Sequence, residues 1–101
     1  MAISSFEKLI DSEKPVFIDF YATWCGPCTA FLPTLKEVKA ELGDLARIVK
    51  IDIDKNQELA TKLGVRSVPT LMIYQKGEQK WRTTGGKSKD KVISKLKEFI
   101  A

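Results

Sequence analysis

The chain has no histidine and only two cysteines among its 101 residues. Without an imidazole, neither a Ser/His nor a Cys/His nucleophile–base pair can be assembled. A closed zinc site takes four ligands, so two thiolates would have to borrow carboxylates or a second chain, and no metal role is expected. Glycine-rich phosphate loops are absent. No apolar run approaches the roughly 20 residues that span a bilayer, and Met1 to Lys14 carries Glu7, Asp11 and Glu13 where a signal peptide would be apolar. The expectation is a cytoplasmic chain with no membrane association. Two cysteines also fall short of a disulfide-stapled secreted framework, so any bridge they form is expected to serve chemistry.

Apolar residues make up 44% and charged residues 30% of the chain, a globular profile, and its length suits a single domain over residues 1–101. The net charge of +4 is spread out, with a mild concentration in Lys87, Lys89, Lys91, Lys95 and Lys97. These lysines lack interleaved aromatic residues and read as a solvated helix face, so nucleic acid is not an expected partner. Monomer is the default expectation.

The apolar pattern orders the elements. Ser4 to Ile10 reads as a short helix with a Ser4/Glu7 capping box and a Phe6, Leu9, Ile10 stripe. Val16 to Tyr21 is apolar except at Asp19, the signature of a strand covered on both faces in the centre of a sheet. Phe31, Leu32, Leu35, Val38 and Leu42 follow helical spacing up to Gly43, and Pro33 inside that helix is expected to kink it. A strand over Ala46 to Ile53 follows, parallel to the first through a right-handed crossover. Asn56 caps a third helix through Leu59, Ala60 and Leu63. Leu71 to Tyr74 and Lys80 to Thr83 flank a Gln75–Glu78 turn as an antiparallel hairpin. From Ser88, Val92, Ile93, Leu96, Phe99 and Ile100 stripe a closing helix. The fold class is α/β in the order α-β-α-β-α-β-β-α.

Both cysteines lie in Trp24-Cys25-Gly26-Pro27-Cys28, between the first strand and the long helix. A C-x-x-C in this βαβ context reads as a redox pair. A helix start can deform to close the bond, and Pro27 in the first turn forfeits no helical hydrogen bond. Cys25, at the amino end, gains from unpaired N–H groups and the helix dipole, which favour a thiolate and make it the attacking residue. Cys28, one turn in, resolves the mixed disulfide. Asp19 is an expensive carboxylate in an apolar strand, with burial expected to raise its pKa toward a proton acceptor's; the plainer reading is a strand-end carboxylate held by backbone N–H groups. Lys50 reads as a strand lysine compatible with a place beside Asp19.

The WCGPC segment after its strand, Asp19, and Ser67-Val68-Pro69-Thr70 ahead of the hairpin resemble the thioredoxin family over nearly the whole length. That resemblance implies a thioredoxin fold with a central mixed β-sheet flanked by helices. It also implies reduction of protein disulfides, with no cofactor bound and reducing equivalents passed from NADPH by thioredoxin reductase. In the family pattern Cys25 is the nucleophile and Cys28 the resolving thiol. Asp19 is the buried proton acceptor and Lys50 its neighbour. Pro69 is cis beside the disulfide, and Val68 offers backbone hydrogen bonds to substrate. Trp24, Gly26, Pro27, Gly64 to Val68, Gly85 and Gly86 frame a docking surface for reductase and substrate proteins. Two positions depart from the best-known bacterial members, which carry tryptophan at Tyr21 and lysine at Thr29. A binding subunit that needs no thiols, and an oxidase or isomerase, are the competing readings.

Overall fold

The computed structural model describes all 101 residues. It places Val16–Tyr21 (β1) inside a four-stranded sheet, with Arg47–Asp52 (β2) on one side and Thr70–Gln75 (β3) on the other; Glu78–Thr84 (β4) completes the order β2-β1-β3-β4. β1 and β2 are parallel, while β1/β3 and β3/β4 are antiparallel, giving the expected mixed sheet. Four helices pack around it: Ile3–Ile10 (α1), Gly26–Leu42 (α2), Gln57–Lys62 (α3) and Lys89–Lys97 (α4).

The near-continuous apolar run of β1 is explained by cover on both sides of the sheet. Alternate side chains point to opposite faces. On one face Phe17, Leu71 and Ile73 meet Phe31, Leu35, Val38 and Leu42 of α2 and Val92, Ile93 and Leu96 of α4. On the other, Val16, Ile18, Phe20, Met72 and Tyr74 meet Phe6 and Ile10 of α1 and Leu59 of α3, with Phe6 edge-on to Tyr74 at 5.5 Å.

Several local expectations are corrected. α1 starts at Ile3 with Ala2 at its cap position and no side-chain cap, because Ser4 already lies inside the first turn; Ile3 is held instead by packing on the second core. Asn56 sits at the start of α3 but its side chain caps nothing: its Oδ1, the atom that would accept a helix N–H, accepts from the Met1 ammonium, and its Nδ2 donates back to the Asp52 carbonyl at 2.8 Å. The second strand is shorter at each end than Ala46 to Ile53. In the hairpin, Gln75 pairs with Glu78, so the turn is only Lys76 and Gly77, at φ of 53° and 80°. Positive φ at both positions is the geometry that matches strand twist in a two-residue turn. α4 stops at Lys97; Phe99 and Ile100 continue in tight i to i−3 bonds and still pack on the core. α2 runs on through Pro33 to Leu42.

Leu96 has no exposure and sits in the α2/α4 core, so Leu96→Ala should destabilise the fold by about 2–5 kcal/mol in urea unfolding. The neighbouring exposed Lys97→Ala should stay within about 0.5 kcal/mol of the parent.

Candidate active site

β1 ends at Tyr21 and α2 begins at Gly26, so the intervening turn carries Ala22 to Cys25 from the centre of the sheet to the start of a long helix. Cys25 is the cap residue, with extended backbone, and its Sγ accepts the N–H of Cys28 at 3.1 Å. That bond meets one of the N–H groups a helix start leaves unpaired. Gly26 and Pro27 occupy the first two helical positions, both exposed, and Pro27 forfeits no bond there, as expected. Cys25 and Cys28 are joined as a disulfide with Cα atoms 5.3 Å apart, within the ordinary span of such bonds. Both are buried, at 6% and 3% exposure, against Ala22, Tyr21, Ile53 and Val68.

The segment before β3 closes over the disulfide. The Val68–Pro69 peptide is cis, and the Val68 carbonyl oxygen lies 3.7 Å from Cys25 Sγ. Gly85, at φ 81°, donates its N–H to the Pro69 carbonyl at 2.8 Å and so ties the end of β4 to this segment. Gly86 packs against Phe31, whose ring would lie 3.2 Å from an added Cβ. Trp24 stands 69% exposed beside this surface, its Nε1–H donating to an Asp54 carboxylate oxygen at 2.8 Å. Cys25, Trp24, Val68, Pro69 and Gly85 therefore converge from three separate stretches of chain.

Asp19 has no exposure, and neither carboxylate oxygen has a hydrogen-bond partner. The strand-end reading, in which backbone N–H groups hold it, is thereby replaced by a desolvated carboxyl in mid-strand. Loss of water raises its pKa from 3.8 to about 6, and the cation of Lys50 opposes the rise. Lys50 pairs with Asp19 across β1/β2, which puts both side chains on the α2 face. The Lys50 head itself sits over the Tyr21 ring, 5.4 Å from its centroid. A cleft of about 220 Å³ bordered by Tyr21, Cys28, Thr29, Leu32 and Lys50 opens behind the disulfide. The Thr29 hydroxyl donates to the Cys25 carbonyl at 3.3 Å.

Asp52 and Asp54 escaped the sequence reading. Asp52 is buried and accepts the N–H groups of Asp54 and Lys55 at 2.8 and 3.2 Å, a turn that carries Asp54 out to Trp24. The signal was the Asp-x-Asp at a strand end, where such turns form.

A Cys-x-x-Cys disulfide at a helix start, beside a cis proline that leads into a mixed sheet, is the centre of a thiol-disulfide oxidoreductase. The family model of thioredoxin matches residues 1–98, and the chain belongs to the thioredoxin family, whose members reduce protein disulfides. It is 41% identical over 98 residues to thioredoxin Y, chloroplastic, from Oryza sativa, covering 96% of this chain and 58% of that protein. Thioredoxin from Rickettsia prowazekii is 37% identical over 98 residues, covering 96% of this chain and 93% of the relative. A bifunctional thioredoxin reductase/thioredoxin from Mycobacterium leprae is 37% identical over 97 residues, 96% of this chain and 21% of that protein. Among solved structures, a thioredoxin from Halobacterium salinarum superposes with a TM-score of 0.87 at 32% identity, over 100% of this chain and 88% of the other.

The raised Asp19 pKa fixes a sign. Between pH 3.8 and about 6 the folded chain keeps a proton that the unfolded chain has lost, so stability falls as pH rises through this window and levels off above it. The loss attributable to Asp19 is about 3 kcal/mol. Urea unfolding of the oxidised protein from pH 4 to 8 should show that decline, and Asp19→Asn should remove it.

Proposed function

We propose that the chain reduces protein disulfides as a single domain over residues 1–101, with distinct roles for its two thiols. In the reduced form the Cys25 thiolate attacks one sulfur of a substrate disulfide, forming a Cys25–substrate bond and releasing the other substrate sulfur as a thiolate. Cys28 then loses its proton and attacks Cys25 Sγ. The Cys25–Cys28 disulfide forms, the second substrate thiolate leaves, and two electrons have passed from chain to substrate. The observation that carries this order is the Cys28 N–H directed at Cys25 Sγ: a donor there stabilises negative charge on Cys25 and not on Cys28.

Asp19 is the acceptor for the Cys28 proton. A carboxyl with a pKa of about 6 is ionised at neutral pH yet basic enough to take a proton, and Lys50 modulates it through its charge. Trp24, Gly26, Pro27, Val68, Pro69 and Gly85 form the surface on which the substrate docks. Val68 lies outside the sheet, with its backbone groups available to an extended substrate segment. The disulfide is returned to the dithiol by thioredoxin reductase with electrons from NADPH. The Mycobacterium leprae relative, named as both activities in one protein, supports that coupling. The setting that suits this cycle is a reducing compartment, the cytoplasm, with the chain working as a monomer.

Insulin reduction by dithiothreitol, followed as turbidity, tests the reading. Cys25→Ser should reduce the catalysed rate to background, whereas Cys28→Ser should accumulate the mixed disulfide; a fully active Cys25→Ser would overturn the assignment. Asp19→Asn should slow resolution on the order of a hundredfold while barely changing mixed-disulfide formation. A redox titration against glutathione should place the potential below that couple, and a value well above it would make the chain an oxidant.

A further inference from the structure

The open side of β2 carries a second surface, away from Trp24 and Val68. β2 is an edge strand, bonded to β1 on one side only. The N–H groups of Arg47 and Ile53 point to the Pro15 and Tyr21 carbonyls at 3.0 and 2.9 Å. In a parallel ladder the direction alternates with a two-residue period, so Val49 and Ile51 also face β1, and the backbone N–H and C=O groups of Ile48 and Lys50 face outward. The side chains of these same two residues border a groove of about 370 Å³, completed by Leu32, Leu35, Lys36 and Lys39 from one stripe of α2. The floor is aliphatic and the rim is three lysines.

No acidic side chain lines this groove, and none of its lysines is in an ion pair. Glu41 is held by Lys89 at 3.5 Å and Asp52 by the N–H groups of its own turn, while Asp19, opposite Lys50 across the ladder, is fully buried and forms no ion pair with it. We infer that this groove and the free edge of β2 together dock an extended, acidic segment of a partner protein. Aliphatic residues of that segment would cover the half-buried Leu32 and Ile48, while its Asp and Glu side chains meet Lys36, Lys39 and Lys50. Its backbone extends the sheet by pairing with Ile48 and Lys50. A second copy of this chain is the poorer occupant, because Arg47 and Lys50 on one edge would face Arg47 and Lys50 on the other. The groove meets the cleft behind Cys28 at Leu32 and Lys50, so a segment held here lies beside the redox centre and leaves the Val68 side free. The inference builds on the proposed reduction of protein disulfides only in taking the partner to be a protein.

The test uses the oxidised chain and a short synthetic fluorescent peptide of alternating Glu and Val that contains no cysteine, so that its outcome does not depend on redox activity. At low ionic strength this peptide should bind at least about tenfold more tightly than its Gln/Val counterpart, as several exposed charge pairs acting together allow. Added salt should erase the difference. NMR shifts should centre on Ile48, Lys50, Lys36 and Lys39, and N-methylation of the peptide backbone should weaken binding. Lys36→Glu/Lys39→Glu, at two exposed helix positions, should abolish the preference while insulin reduction stays at the parent rate. Equal affinity for the two peptides, a preference that survives the double substitution, or shifts confined to Trp24, Val68 and Gly85 would overturn it. So would sedimentation showing a dimer that closes the groove.

Discussion

The N–H of Cys28 pointing at Cys25 Sγ is the interaction on which the rest of this molecule turns. It exists because α2 begins at Gly26, and a helix that starts there leaves its first donors without carbonyl partners. A serine or aspartate would ordinarily fill that cap position. Here a sulfur does, and the same geometry that ends the loop biases one of two otherwise equivalent thiols toward the anion. Pro27 keeps the backbone helical at that point with no donor to lose, and the Val68 carbonyl stands on the other side of the sulfur.

The sheet supports that arrangement at a cost. β1 is interior and covered on both faces, so a carboxyl in its middle is fully buried and meets no protein donor. An apolar side chain at position 19 would carry no such desolvation cost. The chain instead retains Asp19, with Lys50 paired across the parallel ladder as the only charge placed to soften the penalty. A raised proton affinity and a lowered stability are thus two readouts of the same desolvation.

Much of this was legible in the residues. The apolar run of Val16 to Tyr21, broken only at Asp19, revealed an interior strand, and helical spacing from Phe31 to Leu42 revealed the helix that follows it. The C-x-x-C between them located the thiols, because that chemistry depends on local spacing. What was not legible depended on competition for partners. Ser4 could have capped α1, but the helix starts at Ile3, which packs on the second core, and the cap position falls two residues upstream at Ala2. Asn56 could have capped α3, but its amide oxygen accepts from the Met1 ammonium and its amide nitrogen donates to the Asp52 carbonyl. The contact between Trp24 and Asp54 spans 30 residues and rests on a turn organised by Asp52, so no periodicity encodes it. The cis Val68–Pro69 bond and the approach of Gly85 came from family resemblance, since a local pattern there gives only a turn.

The two indoles are placed very differently. Trp81 is half-buried on β4, packed on the core, whereas Trp24 is mostly in solvent and covalently adjacent to Cys25. A disulfide quenches an excited indole more efficiently than a thiol does, so opening the bond should raise the emission of Trp24, the indole next to it in the chain. The oxidation state should then be readable from the chain's own fluorescence, without a label.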